Sequence, residues 1–311
     1  IYAKIEFYPK EQQDCRIIRP LSLQESRRKR TFAAIRSVKS RSMEKKLRIA
    51  VFQQDIRWEE PEENCQRVAE WVEREAAEAD LVVLPEMFAT GFSMHPERIA
   101  QEMDGEVVRF MRELAVRSGK AIITSIAIRD HVRRTEPETG YFNRLFFFTP
   151  DGVWLTYNKR HRFRMGGEHE HYAAGSERRL IVHYKGFRIC PLICYDLRFP
   201  VFARNRGDYD LLVYVACWPE TRREAWRTLL RARAIENQAY VVGANRCGTE
   251  PGELHYSGDS VVLDFLGQPI AEATPGQEQM ISAVISLQEL ERFRERFPAY
   301  LDADNFTLIE E

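Results

Sequence analysis

Three residues of this chain stand at the ends of strands expected from the sequence. Glu86 follows Leu81-Val82-Val83-Leu84-Pro85. Lys159 follows Leu155-Thr156-Tyr157-Asn158. Cys194 follows Arg188-Ile189-Cys190-Pro191-Leu192-Ile193. Each has a plain reading on its own: a solvated loop carboxylate, a surface charge and a small core thiol. Together they make a mechanism. A thiol with an ordinary pKa of about 8.5 is only a few per cent thiolate at neutral pH. A carboxylate kept basic by low-dielectric surroundings can take its proton. A lysine alongside stabilises the thiolate and the oxyanion formed when sulfur attacks a carbonyl. The backbone N–H of Tyr195 is the natural second donor to that oxyanion. Nucleophile, base and electrostatic stabiliser for acyl transfer are all present.

The elements that must position them alternate along the chain. From Leu47 the pattern predicts a strand over Leu47–Phe52, then a helix over Pro61–Ala79 with Pro at its tolerant first position. A short buried strand follows over Asp80–Leu84. A helix over Glu106–Ser118 is ended by Gly119. Strands follow over Ala121–Ile128 and Phe142–Thr149, and Asp151-Gly152 is a hairpin signal into Val153–Tyr157. Residues 160–178 read as a long polar loop, rich in His, Arg and Gly. Strands are expected over Leu180–Tyr184, Arg188–Ile193, Asp210–Val215 and Tyr240–Asn245, with a helix over Arg222–Gln238. Hairpins fill the run from Ser260 to Ile285, and Leu287–Arg296 is a closing helix. This alternation, with no repeat and no linker, argues for one α/β domain with helical layers around mixed sheets.

Composition narrows the class. The chain has 311 residues, 44% hydrophobic and 30% charged, enough for a large core. No run approaches the ~18 apolar residues of a membrane span, so no membrane role is expected. Six cysteines, at 15, 65, 190, 194, 217 and 247, form no CxxC pair and read as reduced thiols in a cytoplasmic protein. Residues 1–42 carry eleven Lys/Arg against four Asp/Glu, a net of +7, while the remainder holds 35 against 43, a net of −8. Such a basic segment could be a nucleic-acid arm or a targeting peptide. The expectation here is an upstream extension outside the fold, with the domain occupying residues 43–311, because Met43-Glu44-Lys45-Lys46 precedes the first strand. The rest of the chain has no basic surface motif, so no nucleic-acid partner is expected.

Three segments, Leu84-Pro85-Glu86-Met87-Phe88, Tyr157-Asn158-Lys159-Arg160-His161 and Cys194-Tyr195-Asp196-Leu197-Arg198-Phe199-Pro200, strongly resemble the nitrilase (carbon–nitrogen hydrolase) superfamily. Further matches are Arg231–Gln238 and Asn245-Arg246-Cys247-Gly248. The resemblance covers about residues 46–308. It implies a four-layer α-β-β-α sandwich, assembled as a homodimer or larger oligomer, and no cofactor. It also implies that Glu86 is the general base, Lys159 the oxyanion stabiliser and Cys194 the nucleophile. A second glutamate after the lysine is part of the pattern. Glu168 fits it by its spacing to Gly175, and Glu170 is the rival.

Within the superfamily the chain looks most like the omega-amidases, through Met87–Met94, Phe163-Arg164-Met165 and Phe297-Pro298-Ala299-Tyr300. Such enzymes release ammonia from the terminal amide of 2-oxoglutaramate or 2-oxosuccinamate. Arg198 sits where related amidases bind the substrate carboxylate, and a guanidinium fork suits that group. Trp218 and Thr221, after the next strand, are expected to line the pocket. Cys217 departs from the small or amide residue expected before Trp-Pro.

Other readings compete. His161, His169 and His171 cluster with Glu168 and Glu170 and could hold a metal. No further ligand at a matching spacing is evident, so no metal is expected. A different small amide or a nitrile is the neighbouring substrate choice. A binding protein that kept the fold and lost the chemistry is the non-enzymatic alternative.

Overall fold

The structure is a computed structural model that describes residues 44–132 and 139–308. The basic segment expected over residues 1–42 lies outside the described residues. Among the described residues, fourteen strands form two six-stranded sheets and one hairpin. The first sheet contains β1 (Lys46–Gln53), β2 (Leu81–Val83), β3 (Ala121–His131), β4 (Thr139–Phe148), β5 (Trp154–Asn158) and β14 (Gln279–Ser286). Its order is β14-β1-β2-β3-β4-β5. The second contains β6 (Val182–Tyr184), β7 (Phe187–Ile193), β8 (Leu211–Ala216), β9 (Tyr240–Asn245), β12 (Val261–Leu263) and β13 (Pro269–Glu272). Its order is β13-β12-β9-β8-β7-β6. The hairpin is β10 (Cys247–Glu250) with β11 (Leu254–Ser257).

The central strands β1-β2-β3 and β7-β8-β9 run parallel, and the outer pairings are antiparallel. Parallel strands need crossovers. Here α1 (Pro61–Glu75) joins β1 to β2, α3 (Glu106–Ser118) joins β2 to β3, and α6 (Arg223–Asn237) joins β8 to β9. Two single-turn helices, α2 (Pro96–Ile99) and α5 (Pro200–Ala203), lie in connecting loops. A third, α4 (Glu168–His171), lies beside the site, and α7 (Leu287–Arg296) closes the domain.

Side-chain alternation in β1 explains the layering. Leu47, Ile49 and Val51 join one core with Ile189, Leu192, Val213 and Val215 of the second sheet. Ala50 and Phe52 point the other way, into a core with Val68 and Val72 of α1 and Met111 and Leu114 of α3. On the far side, Trp226, Leu230 and Ala234 of α6 cover the second sheet. The architecture is therefore the four-layer α-β-β-α sandwich. β2 and β8 are buried along their whole length, which is why they read as unbroken apolar runs rather than alternating ones.

Three expectations shift. The run to Ile285 is not all hairpin: β12 and β13 pair with each other, while β14 crosses to the first sheet and pairs with β1. The first helix ends at Glu75, not Ala79. A turn with Ala79 N–H on the Ala76 carbonyl is needed to bring Asp80 N–H onto the Arg48 carbonyl and start β2. The loop over 160–178 is not featureless: it contains a 3₁₀ turn at Arg164–Gly166 and α4. Its fixed point is the buried Glu168.

Candidate active site

Glu86 emerges three residues past β2 and is fully buried. Its Oε1 accepts hydrogen bonds from Lys159 Nζ at 2.8 Å and Asn143 Nδ2 at 2.7 Å. Its Oε2 accepts the Cys217 N–H at 2.8 Å. The next residue, Met87, has φ 45°, and its N–H is held by Ser125 Oγ at 3.0 Å. That left-handed residue turns the chain sharply out of the sheet and leaves the carboxylate pointing back into it.

Lys159 follows the last residue of β5. Its backbone is clamped on both sides. Its N–H bonds the Asn143 carbonyl at 2.9 Å, and its carbonyl accepts the Gly175 N–H at 2.9 Å. A Cβ at Gly175 would stand 2.2 Å from the Asn158 carbonyl oxygen, so only glycine allows this approach. Lys159 Nζ is 2.9 Å from Glu168 Oε1 as well as 2.8 Å from Glu86 Oε1. Burial opposes the ammonium charge, but the Glu168 and Glu86 carboxylates override it and hold the lysine pKa well above its ordinary range.

Of the two candidate second glutamates, the geometry selects Glu168. It also accepts the Phe163 N–H at 2.5 Å and Asn143 Nδ2 at 3.3 Å. Burial and then the nearby Glu86 charge raise its pKa, while Lys159 pulls it down. Glu170 projects outward, with its side chain 69% exposed.

Cys194 opens the 3₁₀ turn that follows β7 and has φ 42°. A non-glycine residue in that region costs about 1–3 kcal/mol and persists only where its surroundings fix it. Asp196 is the fixing group. Fully buried, it accepts the Ile193 N–H at 3.1 Å, the Tyr157 hydroxyl at 2.9 Å and the His161 N–H at 3.1 Å. His161 is committed to this support. Its Nδ1 lies 2.7 Å from Asp196 and its ring stacks on Phe199 at 3.8 Å. Among the described residues, no three His, Cys, Asp or Glu side chains are grouped to hold a metal ion.

Burial pushes the Cys194 thiol well above its ordinary pKa, and the Glu86 charge adds to this while Lys159 opposes it. The raised pKa favours the thiol form, and the sulfur lies 4.0 Å from the Cys217 carbonyl oxygen. Attack therefore requires proton transfer to a base, and Glu86 stands there. The neighbouring Tyr195 N–H belongs to the first residues of the turn, whose N–H groups lack acceptors within it.

Cys194, Lys159, Tyr195, Arg198 and Trp218 all line one cavity of about 190 Å³. Thr221 does not: it is exposed, and its neighbour Arg222 lines the cavity instead. The 3₁₀ turn over Glu220–Arg222 decides which of the two faces inward. Cys217 also lines the cavity, its thiol donating to the Glu86 carbonyl at 3.2 Å. Asn143, Asp196 and Arg222 are additions that the motifs did not single out. Asp196 alone left a trace, as an acidic residue two places after the cysteine where a turn begins.

The carbon-nitrogen hydrolase family model matches residues 48–295. The chain is 46% identical to omega-amidase YafV of Yersinia enterocolitica, over 85% of this chain and 99% of that protein. It is 32% identical to 2-oxoglutaramate amidase of Bacillus subtilis, over 82% of this chain and 96% of that one. Among solved structures, a CN-hydrolase superfamily protein from Xanthomonas campestris, carrying an arsenic adduct in its active site, superposes with a TM-score of 0.79. It is 49% identical and covers 85% of this chain and 99% of its own.

Proposed function

The chain belongs to the carbon–nitrogen hydrolase family, and from that membership we propose that it hydrolyses the terminal amide of 2-oxoglutaramate and close 2-oxo dicarboxylic monoamides through a thioester on Cys194. It is an amidase of the omega-amidase kind. The observation that carries the substrate reading is one shared cavity: the thiol and the buried lysine line it together with Arg198, a guanidinium with no carboxylate partner among the described residues. A small amide with a distal carboxylate satisfies all of these groups.

The chemistry follows from the geometry. Glu86 takes the Cys194 proton as sulfur attacks the amide carbon. Lys159 Nζ and the Tyr195 N–H receive the oxyanion. Glu86 returns the proton to nitrogen, the C–N bond breaks and ammonia leaves. The emptied carboxylate then takes a proton from water, whose oxygen attacks the thioester, and the proton passes back to sulfur as the 2-oxo diacid departs. Glu168 and Asn143 hold Lys159 and Glu86 in register and act through them.

The test is ammonia release by the purified protein from 2-oxoglutaramate, 2-oxosuccinamate, simple amides, N-carbamoyl compounds and nitriles. Highest kcat/KM on the first two supports the reading. Preference for uncharged amides or nitriles removes the omega-amide assignment. Absence of both turnover and a Cys194 acyl adduct by mass spectrometry supports a binding protein.

A further inference from the structure

The cavity wall carries more positive charge than the carboxylate of a 2-oxo monoamide requires. Lys159 is compensated by Glu86 and Glu168. Glu250, the one acid among the lining residues, lies 3.6 Å from Arg246 Nη1. Arg198 and Arg222 line the same cavity, and neither has a carboxylate partner among the described residues.

Both guanidiniums are seated by aromatic rings. Arg198 lies over Trp218 at 4.9 Å and Arg222 over Phe163 at 5.0 Å. Trp218 links the two, because its Nε1–H donates to the Arg222 carbonyl at 2.8 Å. A guanidinium stacked on a ring keeps its in-plane N–H fork available for acceptors. One tryptophan thus contacts the Arg198 guanidinium and the Arg222 backbone, both arginines line one cavity, and a single carboxylate fills only one fork.

We propose that Arg222 is the specificity residue for the substrate's 2-oxo group. It donates to that oxygen while Arg198 holds the adjoining carboxylate. The same charge repels a 2-ammonium group, so the pair separates 2-oxo amides from the amino-acid amides that share their carbon skeleton. The inference rests on the omega-amide reading above. It concerns binding of the unreactive end and adds no step to the reaction.

The experiment compares kcat/KM of wild type, Arg222→Ala, Arg222→Gln and Arg198→Ala on three amides. These are 2-oxoglutaramate, the same monoamide lacking the 2-oxo group, and L-glutamine. Arg222→Ala should lose about 10–100-fold on 2-oxoglutaramate, the cost of one charged hydrogen bond, and only a few-fold on the deoxo amide. Its preference for 2-oxoglutaramate over glutamine should fall about tenfold or more. Arg222→Gln keeps an N–H donor without the charge. It should retain part of the 2-oxo preference and lose the rejection of glutamine. Arg198→Ala should harm all three amides alike, since each carries the carboxylate. Equal losses on the oxo and deoxo amides in both Arg222 variants, with fold retained by circular dichroism, would overturn the proposal. Ammonia release by wild type from none of the three would instead overturn the omega-amide reading beneath it.

Discussion

Asn143 and Glu86 are joined by a 2.7 Å hydrogen bond, on the same carboxylate oxygen that receives Lys159. The Asn143 amide reaches Glu168 as well, at 3.3 Å. One neutral side chain therefore spans two carboxylates that would otherwise face each other with only the lysine between them. Asn143→Leu should lower kcat by about 10–100-fold, the range of a hydrogen bond to a charged group. The loss should fall on kcat and not on KM, because Asn143 touches the two buried carboxylates and does not line the cavity. A raised KM with kcat unchanged would remove Asn143 from the positioning of Glu86.

The two glutamates of the α4 segment should behave differently. Glu168→Gln removes one of the two carboxylates that hold Lys159 and should depress kcat by about 10²-fold or more. Glu170→Gln, on an exposed side chain, should stay within about twofold of wild type. Steady-state kinetics on both variants decides the matter. A larger loss at Glu170 would contradict the geometry.

The raised pKa of Cys194 has a direct chemical readout. Without substrate, its alkylation by iodoacetamide should be slow at neutral pH. The rate should keep climbing through the ordinary thiol range near pH 8.5 or so. Peptide mapping by mass spectrometry follows Cys194 apart from the other buried cysteines. A rate plateau below neutrality would mean a preformed thiolate.

Strain at Cys194 predicts a trade between stability and activity. With φ 42° at this position, Cys194→Gly should melt at a higher temperature than Cys194→Ala. A difference of about 1 kcal/mol is expected, because glycine enters the left-handed region freely. Neither variant should release ammonia. Thermal unfolding of the pair checks the order, and the reverse order would show that the turn is relaxed.

Acid sensitivity should come partly from Asp210. It accepts Arg188 at 2.6 Å and Arg294 at 2.8 Å, the latter from α7. Burial works against its ionisation, yet the two guanidiniums prevail and lower its pKa. A carboxyl with a folded pKa below its unfolded one stabilises the protein above the unfolded value. That contribution is lost as pH falls through the folded value. Asp210→Asn should therefore lower the melting temperature at neutral pH and flatten its decline below about pH 4. Parallel acid profiles of the two proteins would exclude this contribution.

Much of the site was legible because its three reactive groups each follow the end of a strand. Glu86 and Cys194 are the more conspicuous, since each ends an unbroken buried run. Glu168 was legible through its spacing, and the structure supplies the reason: Gly175 must pass against the Asn158 carbonyl. Asn143 was not legible, since it lies within the β4 run beside Arg144 and reads as part of a short polar interruption among aromatic residues. The Cys217 contribution was hidden for a different reason. Its N–H, not its side chain, bonds Glu86, and any residue except proline would provide it. Thr221 and Arg222 were exchanged because a 3₁₀ turn has no sequence period that fixes which side chain faces the cavity.

The reactive groups come from both halves of the sandwich. Glu86 and Lys159 extend from strands of the first sheet, and Cys194 extends from the second. Neither sheet holds a working centre alone. Ammonia release is thus a reporter of sheet docking. During refolding it should lag the recovery of far-ultraviolet dichroism. In rising denaturant it should vanish as the two sheets part, even where strands and helices persist.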